Sequence, residues 1–145
     1  MKSLFILLFS LTMLSANSTP DTNTTVNPEV LESFQKSFQK ADQATWSEGE
    51  GFFRADFQLN CQYVSAFFSK TGHLLGITRN LAVTQLPVIL QANLKSLQNE
   101  NWISEAFELS NEEGTSYFIT VENANERITY RSDKNEWTIY QKKAK

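Results

Sequence analysis

Twice along this chain a helical run of apolar residues gives way to short strands of alternating aromatic and polar residues. The links between those strands are too short to hold a crossover helix. Val30, Leu31, Phe34, Phe38 and Ala41 recur at helical spacing, with Glu32, Gln35, Lys36, Gln39 and Lys40 on the other side. Trp46 and the strand-like runs 53–57, 63–68 and 74–77 follow. A second helical run over 86–97, with Leu86, Ile89 or Leu90, Leu94 and Leu97 as its stripe, leads into runs at 103–109, 117–121, 128–130 and 137–139. Parallel pairing needs long crossovers, so short turn-rich links leave antiparallel hairpins. The reading is α+β: two tandem helix-plus-four-strand units form one antiparallel sheet of about eight strands, with two helices packed on one face.

The local signals sharpen this outline. Asn27, Pro28 and Glu29 supply an N-cap, a first-position proline and a first-turn acid for the first helix. Thr84 reads as the N-cap of the second helix, with Pro87 in its first turn and 99–101 as its end. The separators at 48–51, Asn60, 71–72, 111–114, 123–126 and 132–135 are rich in turn formers. Alternation places Phe53, Phe57, Phe67, Ile77, Phe107, Tyr117, Ile119, Ile128, Trp137 and Ile139 inward, against Phe34, Phe38, Leu90 and Leu94. Burying each large side chain contributes ~1.5–3 kcal/mol. Cys61, in the stripe with Tyr63, Ser65 and Phe67, reads as a buried small hydrophobe.

The ends bound the cellular setting. A Lys2 charge, an apolar run over 3–14 and the small residues Ser15 and Ala16 have the layout of a secretory signal peptide, cleaved after Ala16 or Ser18. The apolar run is shorter than the ~20 residues a membrane span needs. Residues 1–16 are therefore read as a signal peptide, 17–27 as a disordered leader and 28–145 as a single domain, periplasmic or secreted. A single cysteine rules out an intramolecular disulfide. With 13 Lys and Arg against 16 Asp and Glu, the balance argues against nucleic acid or anionic membrane as partners. Lys142, Lys143 and Lys145 make a local basic tip, read as a solvated end.

Catalytic signals are thin. His73 is the sole imidazole and sits beside Gly72 in a hairpin turn, and no Gly-x-Ser-x-Gly elbow or glycine-rich phosphate loop occurs. Glu112, Glu113 and Asp133 lie in turns without the spacing of a calcium loop. Asp56 with Glu105 or Glu108 is the one carboxylate pair that a shared sheet face would support. The residues thus imply no enzyme, no metal and no cofactor. The face away from the helices is richer: Phe52, Arg54, Asp56 and Gln58, then Phe118, Thr120, Arg127, Thr129, Arg131, Thr138 and Tyr140. Arginines and aromatics among threonines have the composition of an interface, and also of an ordinary solvated strand face.

A family resemblance follows from the order of motifs. Phe34-x3-Phe38-x2-Ala41 before Trp46, Ala55-x-Phe57, Gly72-x-Leu74, Leu86-Pro87 and Tyr117-Phe118-Ile119 resemble the PepSY-like, β-lactamase-inhibitor-like (BLIP-like) group of small exported bacterial domains. The resemblance spans about 28–140 and departs at Gln39, where the pattern has proline after the phenylalanine. It implies a two-repeat α+β fold, an exported location and an inhibitor-like binding role. The expected function is an exported non-enzymatic module that presents the open sheet face to a protein or peptide partner, with Phe52, Arg54, Phe118, Arg131 and Tyr140 as anchors. The alternative is a periplasmic small-ligand carrier with a pocket between helices and sheet. The sequence sets no oligomeric state.

Overall fold

The structure is a computed structural model that describes residues 24–41, 43–98 and 101–145. The expected signal peptide and most of the expected leader lie outside the described residues. The described end of the leader is engaged, since Val26 packs on the first core and the Asn27 side chain donates to the Lys70 carbonyl at 2.9 Å.

The elements are α1 (Pro28–Ser37), β1 (Thr45–Gly49), β2 (Phe52–Leu59), β3 (Gln62–Ser69), β4 (Leu74–Asn80), α2 (Val88–Ala92), β5 (Trp102–Asn111), β6 (Gly114–Glu122), β7 (Glu126–Asp133) and β8 (Glu136–Ala144). All eight strands pair antiparallel in chain order, β1 to β8. Residues directly opposite in such a ladder share a face. The register Ala66–Ile77–Ser110 and Val64–Arg79–Glu108–Tyr117 therefore carries one face from β3 through β6. That face holds both cores. Val30, Phe38, Phe53, Phe57, Val64 and Phe68 cluster under α1, and Leu86, Leu94, Ala106, Ile119, Val121 and Ile128 cluster by α2. The helices thus cover the same side of one sheet, as the two-unit pattern requires.

α1 forms as the sequence dictates but ends early. Its stripe is Val30, Phe34 and Phe38, and Phe38 leaves helical geometry (φ −129°, ψ 58°) where the chain turns down so that Ala41 and Ala44 reach the core. At the other end Gly72 has φ +84°, and a Cβ there would lie 2.7 Å from the Glu29 carbonyl. Only glycine allows both that conformation and that approach of the β3–β4 turn to α1.

The second helix departs from expectation. A 3₁₀ turn at Val83–Gln85 precedes a five-residue α2, and turns continue to Leu97. Thr84 lies inside the 3₁₀ turn and caps nothing. Leu86 precedes Pro87 and is extended at ψ 153°, because the proline ring excludes helical geometry from the residue before it. Side chains replace the missing helical bonds: Gln91 Nε2 donates to the carbonyls of Thr84 and Leu86, and Gln85 Oε1 accepts from the Ala82 amide at 2.8 Å.

Two residues of the expected inward set, Phe67 and Phe107, lie on the other face, and a third, Ile139, is on the expected face but exposed. Asn60 and Cys61 both take positive φ (52° and 64°) in a two-residue turn, and Leu59 pairs with Gln62. This is the mirror-image turn that matches strand twist. It places Val64, Ala66 and Phe68 inward and sends Tyr63, Ser65 and Phe67 to the uncovered face. Cys61 is exposed in the turn and not buried in a strand. A register shift between Ile103 and Glu105 likewise sets Ala106 against Ile119 inside and Phe107 against Phe118 outside. Ile139 is opposite Tyr130 on the helix side, but β8 is an edge strand and leaves it 62% exposed.

Candidate functional site

Reading the ladders across the sheet arranges the uncovered face into rows. One row runs Arg54–Phe67–Gly76, the next Asp56–Ser65–Thr78–Leu109–Ser116, and a third carries Tyr63 and then Phe107–Phe118–Arg131–Thr138. Glu105–Thr120–Thr129–Gln141 and Trp102–Glu122–Arg127–Lys143 complete it. All five residues singled out from the sequence, Phe52, Arg54, Phe118, Arg131 and Tyr140, fall on this face. They do not form one cluster.

Phe52 and Arg54 belong to the first unit. The Phe52 and Phe67 rings lie 5.7 Å apart, and the Arg54 guanidinium is 5.9 Å from the centre of Phe67. Arg54 Nε donates to Asp56 at 2.9 Å and Nη2 donates to the Ser65 hydroxyl at 3.2 Å, while Ser65 donates to the same Asp56 oxygen. This patch satisfies its own charge.

The other three lie in the second unit around a stack of rings. Phe107 and Phe118 are parallel at 4.8 Å, and Tyr140 meets Phe118 edge-on at 5.3 Å. A register shift at Tyr130 gives β8 an extra residue, so Tyr140 and Gln141 both oppose this part of β7. Arg131 sits 6.0 Å from the Phe118 ring centre, and its Nε and Nη2 both donate to the Ser116 hydroxyl, at 3.3 and 3.0 Å. Phe118 itself is 4% exposed although no helix covers it. It supports the face from beneath.

Sequence reasoning named Tyr140 and missed the two rings more exposed than it, Tyr63 and Trp102. Tyr63, Trp102 and Tyr140 are 76%, 53% and 43% exposed and are all on this face, whereas the exposed aliphatics Leu31, Val88, Ile89 and Ile139 are on the helix side. Tyr63 was recoverable only from the two-residue turn before it. Phe107 depends on a bulge that no turn residue announces.

Beside the rings lies a charged cluster. Glu122 receives Arg127 and Lys145, each at 2.9 Å, and hydrogen bonds from Lys145 and Ser104 hold its carboxyl below the ordinary value. Lys145 Nζ also stands 4.9 Å from the Trp102 ring centre. Burial pushes the Glu105 carboxyl up, against the pull of Arg127 and with a smaller push from Glu122, and its Oε2 has no hydrogen-bond partner. The threonines next to it, Thr120 and Thr129, are buried and bonded to each other at 3.0 Å.

The catalytic candidates are scattered. Glu108 is on the helix side, held by Arg79, whose guanidinium pKa that hydrogen bond raises. Asp56 and Glu105 share the uncovered face but lie on β2 and β5, in different rows. His73 Nε2 is 3.3 Å from Glu112 Oε1, both exposed, on two neighbouring hairpin turns. Lys142 pairs with Glu126 at 2.7 Å. Among the described residues no group of three or more His, Cys, Asp or Glu is placed to hold a metal, and no helix is long and apolar enough to cross a membrane.

No family model and no curated protein matches this chain. Solved structures do. A DUF2874 family protein from Bacteroides ovatus superposes with a TM-score of 0.74 at 16% identity, over 84% of this chain and 89% of that one. A BLIP-like protein from Bacteroides fragilis gives 0.70 at 16% identity, over 85% and 89%. A protein named as a periplasmic candidate, from Bacteroides eggerthii, gives 0.73 at 13% identity, over 83% and 89%. At these identities the likeness is one of fold: the chain has the BLIP-like architecture expected from its motifs, and the PepSY-like half of that resemblance rests on the sequence motifs alone.

Proposed function

We propose that this chain is an exported, non-enzymatic binding module that presents the uncovered sheet face to a protein or peptide partner. One observation carries the reading: the three exposed aromatic residues among the described residues, Tyr63, Trp102 and Tyr140, all project from the face that no helix covers. Aromatics and arginine are the side chains that binding surfaces concentrate. Arg131 and Tyr140 remain the anchors named from the sequence, joined by Tyr63, Trp102 and Phe107. Phe118 holds the ring row in place, and Phe52 with Arg54 forms the self-satisfied far end. The signal-like N-terminus and the periplasmic and BLIP-like structural neighbours support an envelope or extracellular location. Between α1 and the sheet the space is filled by rings, with Phe34 5.0–6.3 Å from Phe38, Trp46, Phe57 and Phe68.

The test compares the two faces. A photo-crosslinking amino acid placed at Tyr63, Trp102 or Tyr140, and in controls at Gln35 or Val88, is irradiated in the native envelope. Adducts from the open-face positions alone are expected. Adducts of equal yield from the helix side would remove the reading, and a product that keeps residues 1–16 would remove export.

A further inference from the structure

The two units repeat one cross-strand arrangement with its residues exchanged. In the first, Arg54 on β2 lies opposite Phe67 on β3, and two positions along, Asp56 lies opposite Ser65. In the second, Phe118 on β6 lies opposite Arg131 on β7, and two positions along, Thr120 lies opposite Thr129. Each arginine stands beside its partner's ring. Their charges are answered differently. Arg54 has a carboxylate of its own unit, with Asp56 Oδ1 at 2.8 Å from Nη2. The matching place near Arg131 is held by two buried threonine hydroxyls that bond each other.

Arg131 is exposed, and its guanidinium donates from Nε and Nη2 to the Ser116 hydroxyl. Among the described residues no carboxylate comes within ion-pair distance of it, although exposed Asp133 lies two residues further along β7. Its other N–H donors, on Nη1 and the second hydrogen of Nη2, have no partner among the described residues and belong to a planar fork that matches a carboxylate. The Ser116 bonds and the Phe118 ring fix the plane of that fork, so little side-chain freedom is left to lose on binding.

Resting on the proposed use of this face, we propose that Arg131 is a carboxylate-binding anchor. The partner segment presents an Asp or Glu side chain to the outer edge of the guanidinium, in the role Asp56 plays for Arg54. An apolar neighbour in the same segment rests on Tyr140 and Phe107.

The experiment is a titration of the isotope-labelled protein with Ac-Gly-Leu-Asp-Gly-NH2 and its Asn counterpart, read at backbone amides and arginine Nε–Hε resonances. The Asp peptide is expected to shift the Arg131 Nε–Hε and Tyr140 amide signals saturably, with a dissociation constant about fivefold below that of the Asn peptide. The preference disappears in Arg131→Gln and is only partly kept in Arg131→Lys, which retains charge without the fork. The Arg54 signal stays in place. Equal affinity for the two peptides, or a preference that survives in Arg131→Gln, overturns the carboxylate role; if the open-face amides still move, the face stands as a binding surface. Shifts confined to the helix side remove both readings. No shift at about 20 mM peptide also counts against the anchor.

Discussion

The two units solve one packing problem with different materials. Under α1 the core is aromatic, and Phe34, Phe38, Trp46, Phe57 and Phe68 touch ring to ring beneath a regular ten-residue helix. By α2 it is aliphatic, built from Leu86, Leu90, Leu94, Ile119, Val121 and Ile128 beneath a helix of five residues. The shorter helix is tied down from outside: Trp137 Nε1 donates to the Leu90 carbonyl at 3.1 Å and Asn93 Nδ2 to the Asn135 carbonyl at 2.8 Å. Tertiary burial of an apolar stripe, and not helical regularity, is what both units share. The difference extends to the outer face, where the first unit satisfies its arginine internally and the second leaves one without a carboxylate among the described residues.

The comparison can be broken most forcefully in the cores. Phe57→Ala removes a buried ring that contacts Phe34 and Phe38 and should lower stability by about 3–5 kcal/mol, with Leu90→Ala nearer 3 kcal/mol. Denaturant midpoints at constant slope measure both, and a larger loss at Leu90 would refute the ranking of the two units. The corresponding hairpin links allow a finer test. The first unit turns on Asn60 and Cys61 alone, whereas the second uses Asn123, Ala124 and Asn125, held by Asn123 Oδ1 accepting from the amides of Asn125 and Glu126. Cys61→Gly removes the Cβ that opposes positive φ and should raise stability by about 1 kcal/mol. A destabilised Gly variant would mean that the thiol makes a contact worth more than the strain.

The smallest effect concerns pH and belongs to the second unit. A carboxyl whose folded pKa is raised favours the folded state below its unfolded pKa, and that contribution is lost as pH rises through the folded value. For Glu105, burial sets that direction. Glu105→Gln should therefore raise the melting temperature at pH 7 relative to wild type, with less gain at pH 4 (values set about the ordinary carboxylate range). Glu122 has the opposite sign: its lowered pKa favours folding above the ordinary value, and that contribution is lost as pH falls through the folded value. A Glu105→Gln gain that grows toward acid would contradict the assignment.

Much of the architecture was legible because local chemistry and global fold agree. The period change, Asn27-Pro28-Glu29 and the turn-rich separators give the start of α1, the strand count and the shared face, but not the extent of α2. Parity was legible only where no residue is added or turned out of a strand. Arg54 and Phe118 fell on the correct face because plain alternation holds around them. Phe67 did not, because Cys61 is a turn residue in left-handed geometry, and Phe107 did not, because β5 carries a bulge near Ser104. A one-residue offset moves every later side chain to the other face. Exposure was even less legible, since Phe118 is covered by neighbouring strands and Ile139 is bared by its place at the edge.

By itself the sequence determined that two helices and a meander of eight strands would share one sheet, since periodicity, caps and turn formers act over a few residues. Tertiary structure decided which rings reach the surface, how Arg54 and Arg131 differ, and that Glu105 is half-buried. Those outcomes depend on register and on neighbours up to 47 residues away in the chain, as with Trp137 and Leu90, and no local pattern encodes such distances.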